Sequence, residues 1–120
     1  MPKLTLAHFE ITADDVDGIA GFYAKLLGWK AEPAGFVENY TMLYEGGEDG
    51  MTGAVMDTSY RKQAAIVWFG TDDIEASIAE VLAAGGKRDN ELHSMPDGRR
   101  LIYMEDPAGN LLGLTQSPPK

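Results

Sequence analysis

One pattern of elements occurs twice along this chain at a spacing of 58 residues, and a chain that repeats its elements must build two copies of one small unit. Asp14 and Asp15 recur as Asp72 and Asp73, Val16 as Ile74, Asp17 as Glu75, and Gly28 as Gly86. In the first copy, residues 4–11 alternate between two faces, as a strand does. Leu4, Leu6, His8 and Glu10 lie on one side, with Thr5, Ala7, Phe9 and Ile11 on the other. Asp14 stands where an N-cap belongs, with Asp17 three residues on. Val16, Ile19, Ala20, Tyr23, Leu26 and Leu27 then recur at helical spacing until Gly28 closes the helix. Strand-like runs follow at about 36–45 and 51–57, separated by the turn-rich stretch from Glu45 to Gly50. In the second copy a strand at 64–70 precedes a helix at about 73–84 that sets Ile74, Ile78, Val81 and Leu82 on one face. Strands at 86–89, 99–105 and 110–115 complete it.

Each half therefore reads as a βαβββ module, one over about 1–60 and the other over about 61–120. A chain of 120 residues has the size of a single domain with one core. Eight strands and two main helices are expected, with Asp14 and Asp72 in matching places. The faces divide by chemistry. Phe9, Ile11, Val67, Phe69, Leu112 and Leu114 form an apolar set that belongs under the helices. The opposite face carries His8, Glu10, Ile66, Trp68, Leu111, Gly113 and Thr115, a mixture suited to lining a cavity for a small molecule.

Composition removes several function classes. A formal charge of -9 opposes binding to nucleic-acid phosphates, and no basic stripe offsets the 19 acidic side chains. Without cysteine there is no disulfide, thiolate metal site or cysteine nucleophile. The start of the sequence lacks the apolar core of a signal peptide and no stretch is long enough to span a membrane, so a cytoplasmic protein is expected. No phosphate-binding glycine loop, nucleophile elbow or zinc-protease helix motif is present.

Three segments carry a family resemblance: Ala7-His8-Phe9-Glu10-Ile11, then Phe22-Tyr23-Ala24-Lys25-Leu26-Leu27-Gly28-Trp29, and finally Met104-Glu105-Asp106-Pro107-Ala108-Gly109-Asn110-Leu111-Leu112-Gly113-Leu114. With them the chain resembles the vicinal oxygen chelate superfamily of glyoxalase I, extradiol dioxygenases, methylmalonyl-CoA epimerase, and fosfomycin and bleomycin resistance proteins. The resemblance implies an α+β fold in which the two βαβββ modules form a curved mixed sheet around a concave pocket, with the helices on the outer face. It also implies a homodimer.

Metal enzymes of that superfamily hold a divalent ion with one residue from each of four strands, and the resemblance places these positions here at His8, Ile66, Gly113 and one residue near Val55–Asp57. Ile66 and Gly113 offer no donor, and near Val55 only Asp57 could ligate. One or two ligands are too few for a hard divalent ion, so no metal or other cofactor is expected. The expected function is binding of a small organic molecule, as in the bleomycin-resistance type. The alternative is a glyoxalase I-like or epimerase-like lyase or isomerase. It would use His8 with Glu10 or Asp57, either around Ni, Zn, Mn or Fe or as a metal-free acid/base pair.

The candidate catalytic residues are thus His8 and Glu10, and the expected pocket is His8, Glu10, Trp68, Tyr103, Met56 and Gly113. Two readings stand for His8: a base assisted by Glu10 about 7 Å along the strand, or a histidine hydrogen-bonded to its neighbours in a partly buried sheet. Trp68 reads equally as a stacking surface for a ring and as packing. Tyr40, Met42, Tyr44, Met51 and Met56 suit an adaptable pocket, a subunit interface or simple core filling. His93 falls in a loop-like stretch, and the aspartates at the helix starts are explained by capping and the helix dipole.

Overall fold

The computed structural model describes residues 4–47 and 50–118. Residues 1–3 at the start of the sequence, and Glu48 and Asp49 of the expected turn, lie outside the described residues. The chain forms two compact units, one running from His8 to Ile66 and the other from Val67 onward together with the residues before His8.

The N-terminal unit contains β1 (Thr5–Ala13, in this unit from His8 on), α1 (Val16–Leu27), β2 (Lys30–Pro33), β3 (Tyr40–Tyr44) and β4 (Thr52–Asp57). Their order is β2-β3-β4-β1, with β1 parallel to β4 and the other pairs antiparallel. The N-cap of α1 is Asp15, not Asp14: its carboxylate accepts the Gly18 N–H at 3.0 Å. Asp14 lies one residue earlier and accepts the Thr58 hydroxyl at 2.7 Å. Periodicity cannot choose between two adjacent aspartates, because the cap is set by which carboxylate reaches the third N–H of the helix. Gly28 ends the helix as expected, in the left-handed region at φ 72°. Val16 and Ala20 of α1 bury against Leu43 and Val55, with Phe9, Tyr23 and Trp29 packed around them. Leu26 and Leu27, expected in the same stripe, are exposed instead.

The C-terminal unit contains β5 (Ala65–Gly70, in this unit from Val67 on), α2 (Ile74–Ala83), β6 (Lys87–Arg88), β7 (His93–Ser94), β8 (Arg100–Glu105) and β9 (Leu111–Gln116). The pairing repeats that of the first unit: β5 is parallel to β9, β8 antiparallel to β9, and β6 antiparallel to β8. Asp73 caps α2 through the Ala76 N–H, so the two N-caps stand 58 residues apart and Asp14 and Asp72 occupy matching places before them. Ile74 and Ile78 bury against Ile102, Met104 and Leu114, with Phe69 and Leu112 at the margin. Val67 shares that face yet is exposed, as is Leu82 of the helix.

The fold is α+β, with mixed parallel and antiparallel pairing and, among the described residues, nine strands and two helices. The expected eight fell short. The run at 36–45 contracts to β3, and the separate edge strand β2 precedes it. His93, expected in a loop, belongs to β7, which pairs with Leu101 and Arg100 across a turn at Pro96-Asp97-Gly98 with Gly98 at φ 95°. Gly86 does not repeat the role of Gly28. The second helix ends at Ala83 with Ala84 as its C-cap, and the residue with positive φ is Gly85. The Asp106-Pro107-Ala108-Gly109-Asn110 turn forms as read, with Asp106 accepting the N–H groups of Ala108 and Asn110 at 2.9 Å each. Those bonds, the Asn110 backbone first, hold the Asp106 carboxyl below the usual aspartate range.

Candidate functional site

Register determines the site in the N-terminal unit. Parallel pairing sets His8 beside Thr52, Glu10 beside Ala54 and Thr12 beside Met56, while antiparallel pairing sets Tyr40 beside Met56, Met42 beside Ala54 and Tyr44 beside Thr52. Paired residues share a face. His8, Glu10, Tyr40, Met42, Tyr44, Thr52, Ala54 and Met56 therefore line the side opposite to α1, and Phe9, Leu43 and Val55 face the helix.

A chain of hydrogen bonds runs across this face. His8 Nδ1 lies 2.7 Å from Thr52 Oγ1, and His8 Nε2 lies 3.2 Å from the Tyr40 hydroxyl. That hydroxyl donates to Glu10 Oε2 at 2.6 Å. A phenol has one proton, so with Tyr40 committed to Glu10 its oxygen accepts from His8 Nε2–H. In the neutral ring, Nδ1 then accepts from Thr52. Glu10 is only 2% exposed, which makes this pairing costly to break. Tyr40, read from the sequence only as a pocket, interface or core residue, thus bridges the two residues expected to act together, and Thr52 had no reading there. The alternation Tyr40-Met42-Tyr44 signalled a shared face for Tyr40. For Thr52, whose partner is 44 residues away, there was no local signal.

Asp57, the alternative partner of His8, alternates to the α1 side of β4 and accepts the Ser59 hydroxyl at 2.7 Å. It does not share a face with His8. Met56 does, and is buried. At the outer edge of the same face, Lys30 binds Glu32 at 2.8 Å, and this contact raises the lysine pKa.

In the C-terminal unit the corresponding face is filled by rings. Trp68 pairs with Gly113 where Glu10 pairs with Ala54, and its ring is 6% exposed. Tyr103, also paired with Gly113, meets Trp68 edge to face with ring centroids 4.8 Å apart. A Cβ at position 113 would overlap Cδ2 and Cε3 of Trp68. Glycine here is a packing requirement of the indole.

The family model for the glyoxalase/bleomycin resistance protein/dioxygenase superfamily matches residues 5–114. The chain belongs to this superfamily. Among solved structures it is similar to methylmalonyl-CoA epimerase in complex with methylmalonyl-CoA and NH4+, with TM-score 0.72 and 20% identity, covering 96% of each chain. A Streptomyces coelicolor methylmalonyl-CoA epimerase in complex with 2-nitronate-propionyl-CoA gives 0.73 and 20%, covering 96% of this chain and 99% of that one. The Mycobacterium tuberculosis methylmalonyl-CoA epimerase gives 0.64 and 17%, covering 95% and 88%. At these identities the likeness is one of fold. No curated protein matches the chain significantly. No helix among the described residues is long and apolar enough to cross a membrane.

Membership raises the divalent ion that many superfamily enzymes use, and the donor set does not fit it. Ile66 has no donor atom, and in the C-terminal unit the volume for any side chain at Gly113 is taken by Trp68. In the N-terminal unit both His8 nitrogens are engaged, the β4 residues on its face are Thr52, Ala54 and Met56, and Asp57 lies on the other face. Among the described residues, no three His, Cys, Asp or Glu side chains gather as a metal site. The carboxylate on this face, Glu10, is buried and takes the Tyr40 hydroxyl, and the thioether and hydroxyl groups around it are poor ligands for a hard ion.

Proposed function

We propose that this superfamily member is a cytoplasmic protein that binds a small organic molecule at the Tyr40–Glu10–His8 face without a catalytic metal. The observation that carries the reading is the 2.6 Å bond from Tyr40 to a carboxylate sealed at 2% exposure, flanked by Met42, Tyr44 and Met56. A few convergent polar groups amid aromatic and thioether side chains are what orients a small ligand. The preferred ligand is aromatic and neutral or cationic, because a chain at -9 repels anions at long range and Lys30, the cation on this face, is occupied by Glu32. Trp68, Tyr103 and Gly113 are proposed as lining of the corresponding face of the C-terminal unit.

The test is calorimetric titration with aromatic, cationic and anionic small molecules, alongside tryptophan fluorescence with Trp68→Phe as a control for Trp29. Neutral or cationic aromatics should bind. Glu10→Gln should weaken them about tenfold or more, the weight of a charge-assisted hydrogen bond. Binding of phosphorylated or carboxylated ligands alone contradicts the assignment.

The same pair favours a second reading, a metal-free isomerase in which the Tyr40–Glu10 couple moves a proton, as an epimerase requires. It predicts deuterium wash-in at the carbon next to a thioester carbonyl, whereas a binding protein gives none. We further propose a homodimer. Phe22 and Leu26, 57% and 66% exposed, stand one helical turn apart on α1 and present an apolar stripe. Light scattering at micromolar concentration should return twice the mass of one chain, and a monomer mass removes the proposal.

A further inference from the structure

The helix α1 keeps two ridges of side chains in water. Positions four apart stack along a helix, so Asp17, Gly21 and Lys25 form one ridge and Gly18, Phe22 and Leu26 the next, and all six residues are exposed. The second ridge is apolar and uneven. Phe22 and Leu26 stand 57% and 66% exposed, and the Phe22 ring is held edge-on against Tyr23 with centroids 5.1 Å apart. Beside them Gly18 leaves a notch. A Cβ at Gly18 would meet the Asp15 carboxylate that caps the helix, so no larger residue can fill it without disturbing the cap.

Each ridge is complementary to itself when reversed. In an antiparallel pair of α1 helices related by a twofold axis near residues 21 and 22, each ridge meets its own copy running the other way. Asp17 then stands against the partner's Lys25, Leu26 against the notch at the partner's Gly18, and Phe22 against the partner's Phe22. A parallel pair would set acid on acid and Leu26 on Leu26. Net charge selects the same helix. A chain at -9 repels its own copies, so a contact between them belongs where charge is balanced. The helix α1 carries one acid and one base, whereas α2 carries Glu75 and Glu80 and no cation. We propose that the chain pairs with a second copy through antiparallel α1 helices, with Asp17–Lys25 ion pairs on either side of a Phe22–Phe22 contact. The inference rests on the proposed homodimer and adds the surface, direction and register of its interface.

The test is disulfide trapping under mild oxidation, read by mass spectrometry, beside sedimentation of surface variants. The chain has no cysteine, so an introduced one reports a single position. Gly21→Cys, whose Cβ enters open space, should cross-link to its own copy, since two helices in contact bring facing Cα atoms within the range of about 4.4 to 6.8 Å that a disulfide spans. Asp17→Cys alone should not, because its two copies lie about 12 Å apart along the helices. Mixed with Lys25→Cys it should give the mixed disulfide. Phe22→Glu should weaken the dimer about thirtyfold or more, as the loss of a central aromatic contact does. Asp17→Lys should weaken it about fivefold, and Asp17→Lys with Lys25→Glu should restore it to within about twofold. Cross-linking of Asp17→Cys to itself as readily as Gly21→Cys overturns the antiparallel register. A dimer that forms in wild type and persists unchanged in Phe22→Glu, with no cross-link at position 21, overturns the interface and leaves the homodimer standing. A wild-type chain that is monomeric at micromolar concentration removes the homodimer and the interface together. The trapping in Gly21→Cys decides the interface even where Phe22→Glu lowers the melting temperature.

Discussion

Phe9→Ala is expected to lower the unfolding free energy by about 3 kcal/mol in urea denaturation, the lower end of the range for emptying an aromatic site, because this ring is half-buried. His8→Ala, one residue away, should cost about 1 kcal/mol, the net worth of a hydrogen bond between part-buried groups. The difference follows from strand alternation. Phe9 points to α1, packs with Val16, Ala20, Leu43 and Val55, and stands 6.0 Å from the Trp29 ring, over a glycine at position 53 where a Cβ would overlap it. His8 points to the other side, where its contacts are polar. Similar losses for the two variants would mean that the faces are reversed and that the polar chain belongs to the core.

The second large effect is expected at Gly113. Its alanine variant places a methyl group into the indole of Trp68, a ring that is 6% exposed and braced by Tyr103, so neither side can yield without opening the sheet face. Overpacking of this kind costs about 1 to 3 kcal/mol, and the stiffness of the indole points to the upper part of that range. Gly21→Ala is the matched control. Nothing lies within 4 Å of its Cβ and it sits inside α1, so the same substitution should stabilise by about 0.5 to 1 kcal/mol. A wild-type melting temperature for Gly113→Ala would show that the space above residue 113 is free, and with it would go the steric reason why no ligating side chain stands there.

Much of this arrangement was legible in the sequence because it is local. Strand alternation separated Phe9 from His8 and Glu10, helical spacing put Ile74 and Ile78 under the sheet, and the Asp-Pro turn before Leu111 formed as read. What escaped was set by tertiary pairing. β2, Lys30-Ala31-Glu32-Pro33, is exposed along its whole length and has no alternation to betray it, so only its hydrogen bonds to β3 make it a strand. β7 is two residues long for the same reason. In the site, His8 and Glu10 could be placed on one face, but their coupling through Tyr40 depends on a residue 30 positions from Glu10. Asp57 was admitted as a partner because its parity on β4 was unknown until Thr52 was paired with His8.

The central claim, that this superfamily member uses its pocket face without a metal, is tested most directly by the metal content of protein purified without chelator, measured by inductively coupled plasma mass spectrometry. The donor set around His8, with Met56 on its face and Trp68 over Gly113, predicts nickel, zinc, manganese and iron each far below one equivalent per chain. One equivalent of any of them, lost in His8→Ala, would contradict it.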